Sequence, residues 1–200
     1  MTFALKFLYS QFFVRPEEPT GDFRGQVIIV TGANTGLGLE AARILVRLGA
    51  KKVILGVRTL EKGDAAAKDI LESVPGTKSI VKAWPLDLTD TDSIRTFAEL
   101  SMGLERLDAV IQNAGAYTTK FERLRSGDEI HLGVNVIGPA LLGLMLLPKL
   151  RQTAKRVGAP SRMTFVGSDE HYIAPRQLLV TQGSIMEALN REETIPMCHR

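Results

Sequence analysis

The sequence predicts an α/β fold in which a doubly wound parallel sheet carries helices on both faces. Short runs rich in β-branched residues alternate along the chain with stretches of helical spacing. The strand-like runs are apolar nearly throughout, which is typical of parallel strands buried on both sides. The first of these runs ends in a glycine-rich turn that opens a helix. Together these observations favour parallel strands joined by crossover helices.

Five strands and four long helices account for the middle of the chain. The strands are predicted in the apolar runs 26–31, 52–57, 79–87, 107–115 and 162–168. The helices are predicted in the stretches 37–50, 61–74, 90–104 and roughly 128–156. The first helix places Leu39, Ala42, Leu45 and Val46 on one side, and Gly49 is a plausible C-terminal stop.

Capping and breaking residues refine these boundaries. Asp90 or Thr91 is the predicted N-cap of the third helix. The long fourth helix contains Pro139 and Pro148, and proline inside a helix kinks or splits it. Beyond the fifth strand the periodicity is weak, and we expect a loop followed by a short helix near 183–192.

The composition is that of an ordinary globular protein and limits its partners. The chain has 200 residues, 44% of them apolar and 24% charged, which suits one domain or slightly more. The net charge is only +3 and the basic residues are scattered, so nucleic acid is not an expected partner. The single cysteine, Cys198, excludes an internal disulfide and favours a reducing, cytoplasmic location. No metal site is predicted.

The N-terminal segment is apolar enough to consider as a targeting signal. Lys6 interrupts its apolar run, and Ser10 and Gln11 end it, which does not fit a secretory signal. We expect a helix or arm that packs on the domain, with peripheral membrane attachment as the alternative. No run reaches the roughly 20 apolar residues of a spanning helix. Residues 1–25 are thus interpreted as an arm and connector, 26–168 as the main domain and 169–200 as a loop and partial substrate-region segment.

The turn "TGANTGLG" is the first candidate binding feature. It places Gly32, Gly36 and Gly38 between the first strand and the first helix, with Asn34 and Leu37 between them. Glycines at this junction let the backbone approach a pyrophosphate, which the helix N-terminus stabilises. We therefore predict a dinucleotide site that includes all five residues; the alternative is a tight turn that happens to be rich in glycine.

The end of the second strand predicts which dinucleotide binds. A site selective for NAD usually has Asp or Glu there to hold the ribose 2′-hydroxyl, whereas this chain has Val57 and Arg58. Arg58 can pair with a 2′-phosphate, and Lys62 follows it as a second candidate cation. NADP is accordingly the predicted cofactor, unless Arg58 is simply a solvated surface residue.

Several motifs now occur in a recognisable order. They are "TGANTGLG", the pair Leu86–Asp87, "QNAG" at 112–115, "VNVIGP" around Asn135 and "RMTFVGS" ending at Ser168. In these motifs the chain resembles the short-chain dehydrogenase/reductases, and it looks most similar to a fungal branch of them. The resemblance implies a Rossmann-type fold and interconversion of a ketone and an alcohol by a nicotinamide cofactor. It also suggests a role in fungal secondary metabolite biosynthesis.

The resemblance further assigns roles to residues that border the cofactor. Asp87 is similar to the aspartate that contacts the adenine ring. Asn113, Ala114 and Gly115 match the segment that supports the sheet and borders the cofactor. Gln112 departs from the pattern, because the family usually has asparagine there.

Two catalytic roles follow from the same resemblance. Ser168 matches the catalytic serine, whose hydroxyl stabilises the negative charge that develops on a carbonyl oxygen during reduction. Asn135 matches the helix asparagine whose main-chain carbonyl holds a water in a proton relay.

The family's Tyr-x-x-x-Lys pair does not occur in these 200 residues. In the family the tyrosine transfers a proton and the lysine lowers its pKa. Tyr172 and Arg176 have the same spacing, but Pro175 lies between them and resists helix formation. We therefore interpret Tyr172 as a loop aromatic and not as the catalytic tyrosine.

The absent pair leaves two functions open. The first is an NADP-dependent oxidoreductase for a small carbonyl or alcohol substrate. Members of the family often self-associate, so the resemblance also implies a homo-oligomer. The second is a chain truncated just before the Tyr-x-x-x-Lys helix that binds cofactor or a partner without catalysis; its C-terminal strands would then be missing from the sheet. A nucleotide-binding regulator of another α/β class fits the motif set poorly.

Overall fold

The computed structural model describes residues 3–168 and 184–192. Within them the strands are β1 (Val27–Thr31), β2 (Lys52–Val57), β3 (Ile80–Pro85), β4 (Ala109–Gln112) and β5 (Arg162–Phe165). The α-helices are α1 (Phe3–Phe13), α2 (Gly36–Arg47), α3 (Leu60–Ser73), α4 (Thr91–Met102), α5 (Ile130–Leu132), α6 (Gly138–Val157) and α7 (Ile185–Leu189). The predicted α/β fold is confirmed, with boundaries that shift by a few residues.

The five strands form one parallel sheet in the order β3-β2-β1-β4-β5. From β1 the chain first moves outward through β2 to β3, then returns across the sheet to β4 on the other side of β1. The direction of winding therefore reverses between β1 and β4. In open α/β sheets, ligands bind outside the carboxyl ends of the strands at such a reversal. The glycine turn after β1 lies at this point.

Helices cover the sheet on both faces, as predicted. On one face α2 and α3 contribute Ala42, Leu45, Val46, Ala66 and Ile70 to a buried cluster with the strands. On the other face α4 and α6 contribute a second buried cluster, whose helical members are Ile94, Phe97, Ala98, Leu142, Leu146 and Leu150. Asp90 is the N-cap of α4, because its carboxylate accepts a hydrogen bond from the Asp92 amide at 2.9 Å.

The long helix predicted before β5 is present, with one feature that the sequence did not indicate. Between α5 and α6 lies a turn of π-helix, Gly133–Ile137, which contains Asn135. Pro139 falls in the first turn of α6, and α6 continues through Pro148 without ending there. The irregularity thus lies just before the first proline, at a position that the resemblance associates with catalysis.

The expectation that no run is long and apolar enough to span a membrane is not met by length and composition alone: among the described residues, the helical run 130–157 passes that test. Its residues Leu142, Leu146 and Leu150 are buried against the sheet. A core helix of a globular protein passes the same test, so this run is weak evidence for membrane insertion.

The N-terminal helix α1 differs from expectation in its packing. Residues Leu5, Leu8, Phe12 and Phe13 are all exposed, and Phe12 retains 75% of its accessible surface. The prediction that this segment packs on the domain is therefore wrong for the structure. Apolar residues occupy several sides of α1, so the helix does not have one apolar face that would pack against the domain.

Candidate functional site

A cleft of about 380 Å³ opens at the carboxyl edge of the sheet. Its walls come from the loops that follow β1, β2, β3 and β4, together with the start of the long helical run. The residues that line it are Gly32, Asn34, Gly56, Val57, Arg58, Leu86, Asp87, Leu88, Thr89, Ala114, Gly115, Ala116, Tyr117, Ile130 and Val134. Its size is in the range of small-molecule sites.

Gly32 occupies a position that no larger residue fits. Its backbone lies in the left-handed region with φ of +65°. A Cβ added there would stand 2.8 Å from the Ala114 Cα, which is closer than real Cβ atoms approach. The missing side chain therefore lets the turn after β1 pack directly against the loop after β4.

Gly36 and Gly38 shape the start of α2. A Cβ on Gly38 would lie 2.5 Å from Asn113 Nδ2 and 2.6 Å from the Gly32 carbonyl oxygen, so the helix can approach the turn only with glycine there. Gly36 is the first residue of α2, and a Cβ on it would meet nothing within 4 Å. The N-cap residue, Thr35, makes no side-chain capping hydrogen bond. Uncapped N–H groups at a helix start are suited to bind an anion.

The residues predicted to contact the adenosine half of the cofactor lie after β2 and β3. Arg58 directly follows β2 and lines the cleft, and Asp87 follows β3 and lines it as well. The Asp87 carboxylate accepts hydrogen bonds from the Thr89 amide at 2.9 Å and the Thr89 hydroxyl at 2.7 Å, which fix its orientation. Lys62 is exposed in the first turn of α3, and Leu37 is 79% exposed at the start of α2; neither lines the cleft.

Asn113 stabilises the glycine turn through its side chain and does not line the cleft. Its side-chain amide donates to the Thr31 carbonyl at 3.1 Å and to the Gly32 carbonyl at 3.4 Å. In return, the buried Thr31 hydroxyl accepts from the main-chain amides of Asn113 and Ala114, both at 3.0 Å. This reciprocal set of bonds joins the ends of β1 and β4, which places Ala114 and Gly115 beside the cleft.

Asn135 ties the helical run to the loop after β4. Its Oδ1 accepts from the Ala116 amide at 2.7 Å, and its Nδ2 donates to the Ala116 carbonyl at 2.9 Å. Its own main-chain carbonyl stands four residues before Pro139, which has no N–H to donate to it. The π-helical turn and the proline thus remove the usual α-helical partner of the carbonyl for which the resemblance implies a role.

Gln112, the departure from the family pattern, is buried at the end of β4. Its Nε2 donates to the Pro139 carbonyl at 2.8 Å and lies 3.9 Å from the Met163 sulfur. Its Oε1 is the one buried side-chain oxygen or nitrogen without a partner that is found in the described part of the chain. The longer side chain therefore reaches the start of α6, a contact that would be beyond a shorter asparagine.

Ser168 lies three residues beyond β5 and is exposed, outside the cleft lining. The structure places it after the strand next to β4, as predicted, and does not bring it into the cleft with Arg58 and Asp87. Tyr172 and Arg176 lie outside the described residues, so their interpretation stays a prediction.

Sequence reasoning missed part of the cleft wall. Thr89, Tyr117 and Ile130 line it, yet none belongs to a motif that was singled out, and Val134 lies in the motif "VNVIGP" without an assigned role. Only Thr89 carried a local signal, because an aspartate side chain commonly accepts a hydrogen bond from the amide two residues on, in an Asx turn. The others come together through the fold, which brings the start of the helical run over the ends of β3 and β4.

The arrangement fits a dinucleotide in three respects. The glycine turn leaves room for a backbone approach, the start of α2 offers N–H groups, and Arg58 supplies positive charge at the end of β2. These features span the reversal point of the sheet. The residues present therefore fit a dinucleotide that carries an additional phosphate near Arg58.

Comparison with known proteins supports the interpretation of the cleft as a dinucleotide site. Residues 26–159 match the sequence profile of a family described as short chain dehydrogenase. The chain is 42% identical over 190 residues to the short-chain dehydrogenase anuD of Penicillium roqueforti, covering 95% of this chain and 49% of that protein. It is 44% identical over 151 residues to the short chain dehydrogenase sol3 of Alternaria solani, covering 76% and 52% respectively. The chain thus spans about half the length of these curated relatives.

Solved structures share the architecture. The RhlG/NADP active-site complex of Pseudomonas aeruginosa is 25% identical with a TM-score of 0.64, covering 92% of this chain and 64% of that one. An uncharacterised protein from Mycobacterium paratuberculosis is 29% identical with a TM-score of 0.63, covering 86% and 59%.

Proposed function

The chain belongs to the short-chain dehydrogenase/reductase family, and on that premise we propose that its cleft binds NADP and serves an oxidoreductase that interconverts a ketone and an alcohol. The observation that carries the proposal is the position of Arg58 in the cleft at the end of β2. An arginine there pairs with a 2′-phosphate, whereas an NAD site usually has a carboxylate. The RhlG structure is a complex with NADP, which supports the same cofactor.

Each part of the cleft has a role in this proposal. Amides at the start of α2 bind the pyrophosphate, Arg58 binds the 2′-phosphate, and Asp87 borders the adenine. When bound, NADPH supplies the hydride. Ser168 lies outside the cleft lining, after β5. In this proposal its hydroxyl donates a hydrogen bond to the substrate oxygen, because a donor placed where charge develops lowers the barrier.

The proton-transfer group is the part that these 200 residues do not supply, since they contain no Tyr-x-x-x-Lys. Loss of general acid catalysis costs about 10²–10⁴-fold in rate. We therefore expect the chain to bind NADPH and to transfer hydride slowly by itself. Cofactor binding without efficient turnover is accordingly the second candidate function.

The cellular setting follows from the relatives and composition. The curated relatives named above are fungal dehydrogenases, and we propose a cytoplasmic enzyme of a fungal specialised pathway. Its substrate is a small carbonyl compound or alcohol, and self-association into a homo-oligomer is part of the proposal.

Calorimetric titration of the chain with NADPH and NADH tests the cofactor assignment. We expect tighter binding of NADPH, and Arg58→Asp should narrow or reverse the preference, because a carboxylate repels the 2′-phosphate and can hold a 2′-hydroxyl. Arg151→Asp is the matched control, since Arg151 is exposed on α6 and outside the cleft. Equal affinities of the parent chain for the two cofactors would reject NADP selectivity.

A further inference from the structure

Two side chains on one side of the helical run hold the loop that leaves β4. Asn135 makes both of its amide hydrogen bonds to the main chain of Ala116, at 2.7 and 2.9 Å. His131, four residues earlier, accepts a hydrogen bond at Nε2 from the Thr118 amide at 3.0 Å. Helical residues four apart lie on the same side, so the loop is held at two points by one helical surface.

These two attachments hold the backbone on both sides of Tyr117. The main-chain amides of residues 116 and 118 both donate to side chains of the helical run, so Tyr117 lies between two fixed points of the loop. Tyr117 lines the cleft and keeps 70% of its surface exposed. Its ring meets the His131 ring at 69° with centroids 6.2 Å apart, an edge-on contact that steadies it.

Glu129 determines which ring nitrogen of His131 is free to accept the hydrogen bond from the Thr118 amide. His131 Nδ1 lies 2.7 Å from Glu129 Oε1, and Glu129 Oε2 accepts from the main-chain amides of His131 and Leu132. Because Nε2 must accept from the Thr118 amide, the ring proton stands on Nδ1 and is donated to Glu129. Glu129 is only 4% exposed, so its carboxylate is sheltered from solvent.

The strand order places Tyr117 away from the 2′-phosphate end. Arg58 follows β2, and β2 and β4 flank β1 on opposite sides. The loop that carries Tyr117 leaves β4, whose other neighbour is β5, the strand that leads to Ser168. A dinucleotide with its 2′-phosphate at Arg58 and its pyrophosphate at the glycine turn therefore extends toward this loop with its nicotinamide end.

We infer that Tyr117 is a further cofactor-contacting residue, whose ring packs against the nicotinamide, and that His131 and Glu129 are positioning residues that hold it there. The inference rests on the proposed function, because it requires NADP in the cleft. A ring contact of this kind accounts for about a three- to tenfold change in affinity.

Titrations with NADPH and with 2′,5′-ADP, which has the Arg58 end of the cofactor but no nicotinamide, test the inference. Tyr117→Ala should weaken NADPH binding by about three- to tenfold and leave 2′,5′-ADP binding within about twofold, while Tyr117→Phe should retain both. His131→Ala should behave as Tyr117→Ala does. His131→Gln should recover NADPH binding, because a side-chain oxygen can accept the Thr118 N–H.

The emission maximum of bound NADPH provides a second readout, since it reports the surroundings of the nicotinamide. It should shift in Tyr117→Ala and His131→Ala and not in the two conservative variants. Unchanged NADPH affinity in Tyr117→Ala would overturn the inference, and so would an equal loss for both ligands. A parent chain that binds neither ligand would instead reject the proposed function and this inference with it.

Discussion

The centre and the β5 edge of the same sheet provide opposite environments for apolar residues. All five residues of β1 are buried, as are five of the six in β2. In β5 three of four residues are exposed, and Val166 beyond it is 50% exposed. Both regions contain apolar residues, among them Phe165 and Val166 at the β5 edge, but β1 has strands on both sides and helices on both faces. In the described part of the chain β5 pairs only with β4.

This difference shows that an apolar run predicts a strand better than it predicts burial. Burial depends on neighbours that other parts of the chain supply. Most of the candidate cofactor site follows β1, β2 and β4, which have strands on both sides, whereas β3, which precedes Asp87, pairs only with β2 in the described part of the chain. Matched substitutions at the centre and at the β5 edge therefore measure how much each region contributes to the free energy of unfolding.

The largest contrast is expected between Gly38→Ala and Gly167→Ala. A Cβ on Gly38 would meet Asn113 Nδ2 at 2.5 Å and the Gly32 oxygen at 2.6 Å, whereas one on Gly167 would meet nothing within 4 Å. We expect Gly38→Ala to lower the free energy of unfolding by about 3 kcal/mol and to weaken NADPH binding, because overpacking displaces the glycine turn. Gly167→Ala should change little. Urea unfolding and calorimetry measure both, and equal effects would contradict the close packing of α2 on the turn.

Val30→Ala and Val166→Ala form the second pair. Val30 in β1 is fully buried, and Val166 is half exposed. Loss of two methyl groups and the resulting cavity should cost about 2 kcal/mol at Val30 and under about 0.5 kcal/mol at Val166. Chemical denaturation of the two variants provides the comparison. A cost at Val166 as large as that at Val30 would show that the β5 edge is covered in solution.

Thr31→Val and Thr164→Val should give the smallest contrast. The buried Thr31 hydroxyl accepts from two main-chain amides, which valine would leave unpaired, at a cost of about 1–3 kcal/mol. Thr164 is exposed in β5, and there the same change should stay within about 0.5 kcal/mol. Thermal unfolding curves compare them. An unchanged midpoint for Thr31→Val would mean that the junction of β1 and β4 does not depend on this hydroxyl.

The sequence was sufficient to predict the order of elements, because apolar runs, helical spacing and capping residues are local signals. It also located the glycine turn, Arg58 and Asp87, whose places at strand ends follow from that order. It did not reveal the roles of Tyr117, Ile130 and Val134, since they line the cleft only through long-range packing. The π-helical turn at Asn135 was equally unpredicted, because no local pattern distinguishes it from an ordinary helix.

Amide hydrogen exchange with and without NADPH tests most directly the claim that cofactor binds at the reversal point of the sheet. NADPH should slow exchange at the glycine turn and the start of α2, at Arg58 and in the loop from Ala114 to Thr118. It should leave α1 and the C-terminal part of α6 unchanged. Protection spread evenly over the chain, or absent from the glycine turn, would contradict the account.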